Sequence, residues 1–238
     1  MKAQKLELTF FKKVKLTKDT YEFYFERPDK FNFRSGQYLK IFLPIENPDI
    51  RGTSRYFTIS SSPLNKSHLT ITTKIIRSSF KLTLNSLVSG KKIKAFGPMG
   101  YFNFNLKSEK PKLFLAGGIG ITTYHSILKT LEKKKMSFNI LLIVSFSKKE
   151  NVIYFDELKE IESKNPKIKI IYSLTKKSFD KFESGRINKD LIIKYCPNYL
   201  DYEIFIVGSE SFEENLIKLV KDMNVVEENI FTENFPGY

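Results

Sequence analysis

The hydrophobic pattern of this chain changes period once, and that change dictates two architectures in one polypeptide. Through residue 105 apolar side chains recur at every second position, in the stretches 6–10, 20–25, 38–43, 69–75 and 92–96. Successive strand residues point to opposite faces, so this alternation marks strands with one face in a core. Gly36, Pro44, Pro63 and Gly97-Pro98 separate them as turns. Several short strands so spaced predict a closed antiparallel barrel. One helix interrupts it over about 80–87, with Ser78 or Ser79 as N-cap and Gly90 just beyond its end.

From residue 111 onward strand and helix take turns. Apolar strands are expected at 112–116, 140–146, 168–174, 204–207 and 230–232, with helices at 122–134, 154–163, 189–195 and 212–223. Such βαβ alternation implies a doubly wound parallel sheet with helices on both faces. The join falls near 106–110, where periodicity lapses into Lys107-Ser108-Glu109-Lys110. The expected units are therefore 1–106, a β-barrel, and 111–238, an α/β domain.

Composition narrows the chemistry. Forty Lys and Arg against 26 Asp and Glu give a formal charge of +14, which favours acidic partners or anionic ligands. The lysines are scattered, and no helix-turn-helix, zinc-finger or aromatic–basic RNA-binding signature accompanies them, so nucleic acid is not an expected partner. Cys196 is the only cysteine, which excludes an internal disulfide and an iron–sulfur cluster held by Cys ligands within this chain. With His68 and His125 as the only histidines, no metal site is expected. No apolar run approaches the ~20 residues of a membrane span. The N-terminal residues lack the apolar core of a signal peptide, so a cytoplasmic protein is expected.

Two segments concentrate the ligand chemistry. Arg55-Tyr56-Phe57-Thr58-Ile59-Ser60-Ser61-Ser62-Pro63 puts a fixed cation, two rings and a run of hydroxyls on one extended stretch. An anionic, planar, hydrogen-bonding ligand needs this set: Arg for phosphate, a ring to stack on, hydroxyls for ring nitrogens. An ordinary edge strand with a surface Arg would read the same way. Ala116-Gly117-Gly118-Ile119-Gly120-Ile121-Thr122 joins the first parallel strand to its helix, where glycines bring backbone N–H groups close to a pyrophosphate. Thr123 stands where the full G-x-G-x-x-G fingerprint has its third glycine. The next strand ends in Ser145-Phe146-Ser147-Lys148-Lys149 without the usual acidic residue, leaving the adenosine contact unassigned.

In this order and spacing, the motifs resemble the ferredoxin–NADP reductase family across nearly the whole chain. The family's Arg-x-Tyr-Ser/Thr is matched by Arg55, Phe57 and Thr58, with Tyr56 between them and Phe57 where Tyr is usual. Gly97-Pro98-Met99-Gly100-Tyr101-Phe102 matches the Gly-Pro-x-Gly-x-Phe that closes the family's flavin barrel. The resemblance implies bound FAD, with Arg55 on its pyrophosphate, Phe57 stacked on the ring and Thr58 at the N5 edge. It places Ser79, Phe80, Lys81 and Thr83 beside the pyrophosphate and Thr72, Thr73 and Lys74 near the flavin's outer groups. Gly118, Gly120 and Thr122 resemble the NAD(P)H turn; Val207-Gly208-Ser209 occupies the family's Cys-Gly-x, so Gly208 is retained and the thiol is missing. The tail residues Glu233, Phe235 and Tyr238 resemble the family's terminal segment, which makes Thr58, Glu233 and Tyr238 the implied catalytic positions and Phe235 or Tyr238 the cover of the ring.

The implied function is a flavoprotein reductase that takes hydride from NAD(P)H and passes electrons to a separate acceptor. A basic surface suits an acidic ferredoxin or flavodoxin. A small-molecule acceptor and a non-catalytic flavin- or nucleotide-binding subunit remain alternatives, as does the choice between NADH and NADPH.

Overall fold

A computed structural model describes residues 2–100, 102, 104, 108–176, 179 and 181–232. Six strands form the first sheet: β1 (Gln4–Lys15), β2 (Thr20–Glu26), β3 (Tyr38–Phe42), β4 (Ser54–Thr58), β5 (His68–Lys74) and β6 (Lys92–Met99). Their spatial order is β4-β3-β6-β1-β2-β5, and every pair is antiparallel. Just past β4, Ile59 bridges Ile71 of β5 and Ser60 N donates to Thr70 O at 2.8 Å, so the sheet nearly closes into a barrel. Closure removes the free edges that would otherwise template aggregation.

The period-two alternation fills the barrel, with Leu8, Phe23, Phe25, Leu39, Ile41, Leu69 and Ile71 fully buried inside it. Helix α1 (Ser79–Asn85) adds Phe80 and Leu84 to this core, four residues apart and thus on one face. Ser78 is the N-cap, accepting from Lys81 N at 3.2 Å. The helix stops two residues before the expected 87, where Ser86 Oγ donates back to Thr83 O at 2.9 Å.

The second sheet is built from β7 (Lys112–Gly117), β8 (Ile140–Phe146), β9 (Ile168–Leu174), the short β10 (Glu183–Ser184), β11 (Glu203–Val207) and β12 (Ile230–Thr232). All pairs are parallel, in the order β10-β9-β8-β7-β11-β12. Helices α2 (Ile121–Lys134) and α3 (Phe155–Lys164) cover one face, and α4 (Lys189–Tyr195) and α5 (Glu210–Asp222) the other. Strand β10 was not expected, because two residues are too few to show alternation. The chain reverses direction across the sheet between β7 and β11, the switch point at which such folds bind ligands. Among the described residues no helix is long and apolar enough to cross a membrane.

A polar seam fixes the barrel against the parallel sheet. Ser126 Oγ of α2 donates to Ser61 O at 2.7 Å, and Thr130 Oγ1 lies 2.9 Å from Ser35 Oγ and 2.8 Å from Ser62 Oγ. The His125 ring lies flat on that of Tyr154, 3.8 Å between centroids and 8° between planes. Of the Ser60–Ser62 hydroxyls, expected at ligand nitrogens, that of Ser62 joins this seam, while within the barrel Ser60 Oγ meets Thr70 Oγ1 at 2.8 Å and Ser61 Oγ accepts from Thr70 N at 3.0 Å. A hydroxyl run satisfies a neighbouring backbone as readily as a ligand. Phe102 and Phe104 already pack with the core of the second sheet.

Candidate functional site

A cavity of about 500 Å³ opens where β4, β5 and α1 face the start of α2. Its wall joins Arg55, Tyr56, Phe57 and Thr58 from β4, Thr72, Thr73 and Lys74 from β5, Lys81 from α1 and Thr122 from α2. Among the described residues, Lys40 and Arg51 complete a set of five basic side chains, and no carboxylate lines the wall. Strand β4 is held in place by full pairing with β3, from Tyr38–Thr58 to Phe42–Ser54.

Arg55 is tightly framed, at 11% side-chain exposure. Its Nη2 donates to Asp49 Oδ1 at 2.8 Å, and Nη1 donates to Arg51 O at 2.7 Å and Ser54 O at 2.6 Å. Its buried Nε has no partner among the described residues. Lys81 donates its Nζ to Thr73 Oγ1 and, at 3.1 Å, to Lys74 O. Burial, then the charges of Arg51 and Arg55, push its amine down to about 8. Cations clustered around a depressed amine, with one guanidinium donor left over among the described residues, are the electrostatic counterpart of a missing anion.

Two rings accompany the cations. Phe57 is only 7% exposed and packs on Phe80 at 5.8 Å and 30°. Tyr56 is met edge-on by Tyr38 at 5.7 Å and 84°, with Lys40 Nζ 5.2 Å from its centroid. That support needs Gly100, where a Cβ would come within 2.4 Å of the Tyr38 ring. The β4 segment therefore offers an aromatic wall beside a corner of clustered cations. This donor set suits a planar ligand carrying a diphosphate.

The glycine turn adjoins the cavity. Lys74, paired with Asp19 at 2.9 Å, also lines a neighbouring space of about 140 Å³ bounded by Gly118 and Ile119. A Cβ on Gly120 would lie 2.4 Å from Val207 O, so only glycine lets β11 approach this turn. Thr122 Oγ1 donates to Ile119 O at 2.9 Å, closing the first turn of α2. Phe212 packs on Gly117 and Gly208, and Glu213 Oε1 accepts from Gly208 N at 3.1 Å. Burial pushes the Glu213 carboxyl up to about 7.

Several expected positions lie elsewhere. Ser79 Oγ accepts from Asp49 N at 2.9 Å and so shapes the loop that holds Arg55. Thr83 Oγ1 donates to Ser79 O at 2.9 Å, and Phe80 is fully buried; neither lines the cavity. Gly120 and Gly208 frame the switch point behind it. Glu233, Phe235 and Tyr238 lie outside the described residues. Lys40 and Arg51 were missed; the only local signal was the acidic–basic run Asp49-Ile50-Arg51 ahead of Arg55. Cys196 is buried, and burial pushes its thiol up to about 11, an inert state.

The comparisons with known proteins agree with this geometry. Residues 7–104 match the oxidoreductase FAD-binding domain family and residues 114–218 the oxidoreductase NAD-binding domain family. The chain is 27% identical over 241 residues to flavohemoprotein A of Dictyostelium discoideum, covering 94% of this chain and 58% of that protein. It is 27% identical over 158 residues to ferredoxin–NADP reductase B of Sorangium cellulosum, covering 65% of this chain and 64% of that one. The chain thus spans a little over half the length of these relatives. In fold it superposes on a ferredoxin NADP+ reductase from Neisseria gonorrhoeae with bound FAD and NADP, at a TM-score of 0.80 and 18% identity, covering 98% of this chain and 99% of that one. The barrel, the switch-point turn and both family matches lead to one conclusion: the chain belongs to the ferredoxin–NADP reductase-like family of FAD-binding, NAD(P)H-dependent oxidoreductases.

Proposed function

We propose that this chain takes hydride from NAD(P)H onto bound FAD and passes the electrons to a separate acceptor, an acidic ferredoxin or flavodoxin. The observation that carries the reading is the cavity whose described wall holds five basic side chains and no carboxylate, with two rings beside them and the glycine turn adjoining. FAD, when bound, supplies the ring that accepts a hydride and releases its two electrons one at a time. Arg55 and Lys81 hold the pyrophosphate, Arg55 through a guanidinium already oriented by Asp49. Phe57 supplies a ring face, with Tyr56 beside it, and Thr58 and Thr72 supply hydroxyls at the ring edge. The Gly118–Gly120 turn and the first N–H groups of α2 receive the nucleotide pyrophosphate. The chain's contribution to rate is alignment of two rings and fixed charge around them.

The test is spectroscopic. The purified protein should carry, or take up, a yellow flavin, and anaerobic NADH or NADPH should bleach it; the faster donor names the nucleotide. A protein that takes up no flavin would sink the reading. Ferredoxin or flavodoxin reduction should slow as salt rises, because the chain carries a formal +14. Two relatives favour a second acceptor class: the glycine betaine monooxygenase reductase subunit of Pseudomonas aeruginosa and a stachydrine N-demethylase reductase subunit of Rhizobium meliloti, 27% and 28% identical. On that reading the acceptor is an oxygenase component.

A further inference from the structure

Glu22 is a carboxylate at 6% exposure with no cation bonded to it among the described residues. Only hydroxyls meet it. Tyr24 Oη donates to its Oε2 at 2.7 Å, and Oε1 accepts from Tyr154 Oη at 3.1 Å, Ser60 Oγ at 3.3 Å and Thr72 Oγ1 at 3.4 Å. A buried carboxylate surrounded only by hydroxyls is costly for stability, since an apolar side chain would be cheaper there. Hydroxyls both donate and accept, so such a chain transmits a proton by reversing its bonds in sequence.

The chain has two ends. Thr72 lines the 500 Å³ cavity, and its Oγ1 lies 2.5 Å from Tyr154 Oη. Glu22 and Tyr24 line a separate space of about 120 Å³, whose wall includes His68, His125, Glu157 and the exposed Lys133. This outer space therefore reaches the protein surface. Tyr154 is held at φ 60°, a left-handed conformation unfavourable for an aromatic residue. That backbone carries its ring onto His125 and its hydroxyl to Glu22 and Thr72. His125, in turn, has Ser60 O 3.0 Å from Nδ1 and Glu157 Oε2 3.2 Å from Nε2, which fixes the ring that Tyr154 rests on.

We propose that Glu22 is the central station of a proton relay, running from Thr72 directly or through Tyr154 to Glu22, then through Tyr24 to the outer space. The proposal rests on the reductase reading, and the balance of that reaction supplies its cargo. For each NAD(P)H oxidised to NAD(P)+, two electrons leave to one-electron acceptors and one proton must leave the ring cavity. The relay gives that proton an exit on the barrel side of the seam, away from the nucleotide turn.

The test loads the whole protein with FAD, reduces it with one equivalent of NAD(P)H, and mixes it with ferricyanide and a pH-indicator dye in a stopped-flow instrument. Two ferricyanide ions take the two electrons, and the dye reads the single proton. Wild-type protein should release it in step with electron loss. In Glu22→Gln, release should lag by about tenfold or more while hydride uptake is unchanged, and added formate, a small weak acid, should restore it. Rescue by formate is not expected of a residue that only packs. Tyr24→Phe, which leaves Glu22 in place, should slow release by itself, so a Glu22 variant that fails to fold does not decide the matter. Release at the wild-type rate in Tyr24→Phe and in a folded Glu22→Gln overturns the relay and leaves the reductase reading standing. A protein that takes up no FAD overturns the reductase reading, and the relay with it.

Discussion

Asp49 accepts a hydrogen bond from Arg55 Nη2 at 2.8 Å, yet the Nε of the same buried guanidinium has no partner among the described residues. The carboxylate fixes the plane of the cation without satisfying all of it. A planar fork so held suits two parallel bonds to a phosphate, which a lysine ammonium cannot imitate.

Arg55→Lys keeps the charge and loses the fork. Charge-assisted bonds contribute about 1.5–3 kcal/mol each, so FAD affinity should fall by about tenfold to a hundredfold. Absorbance titration of the deflavinated protein measures it. Affinity within twofold of wild type would remove Arg55 from the pyrophosphate.

Lys81 should make flavin binding depend on pH. Burial and the charges of Arg51 and Arg55 hold its amine down at about 8, against 10.5 for the free side chain. Between these values the unfolded chain binds more protons than the folded one, so flavin-free protein should gain stability as pH rises from about 8 toward 10.5. A bound diphosphate favours the charged amine, so FAD affinity should be highest below pH 8 and fall as pH rises through it. Lys81→Met should flatten both trends. Melting curves and FAD titrations from pH 7 to about 10 decide; a wild-type affinity that does not change over that range contradicts the assignment.

The contrast between Arg55 and Glu22 shows what the sequence could reveal. Arg55, Phe57, Thr72, Lys74, Lys81 and Thr122 were legible because each sits in a local motif, and strand alternation or a helix start then carries it to the cavity wall. The parallel sheet was legible for a similar reason, since its helices and strands each span enough residues to show a period. Glu22 and Tyr154 are 132 positions apart, and nothing in either local pattern predicts their bond. Arg51 reaches the cavity only because the loop before β4 folds around Asp49, whose N–H is held by Ser79 thirty residues away. The three serines after Ile59 misled because a hydroxyl carries no mark of whether its partner will be a ligand, a neighbouring strand or the other half of the chain.

Phe57 separates core packing from ring stacking. Its side chain lies against Phe80 inside the barrel, so truncation to Ala would cost about 3–5 kcal/mol and confuse the two roles. Phe57→Leu nearly conserves volume and should cost less than about 1.5 kcal/mol of stability. Loss of the ring face should still weaken FAD by up to about tenfold, the worth of an aromatic pair. Thermal melts of flavin-free protein and FAD titrations, taken together, separate these effects. Unchanged affinity in a folded Phe57→Leu protein would leave Tyr56 as the only ring of β4 available for stacking.

Glu213 gives the nucleotide side of the cleft its own titration. Its carboxyl is pushed up to about 7 by burial, against 4.5 for the free side chain, and its only described partner is Gly208 N. A raised carboxyl favours the protonated folded form, so its contribution to stability is complete below about 4.5 and is lost as pH rises through about 7. Glu213→Gln keeps an oxygen for Gly208 N and removes the charge. The variant should therefore melt at the wild-type temperature near pH 5 and above it near pH 8. The same carboxylate, from α5, holds Gly208 just past the end of β11 that Gly120 lets approach the glycine turn, so wild-type affinity for NAD(P)H should decline from pH 6 to pH 8 more steeply than that of the variant. Calorimetry at the two pH values and nucleotide titrations across that interval read both effects. Equal melting temperatures at pH 8 would show that the Glu213 carboxyl is not held in its raised state by the fold.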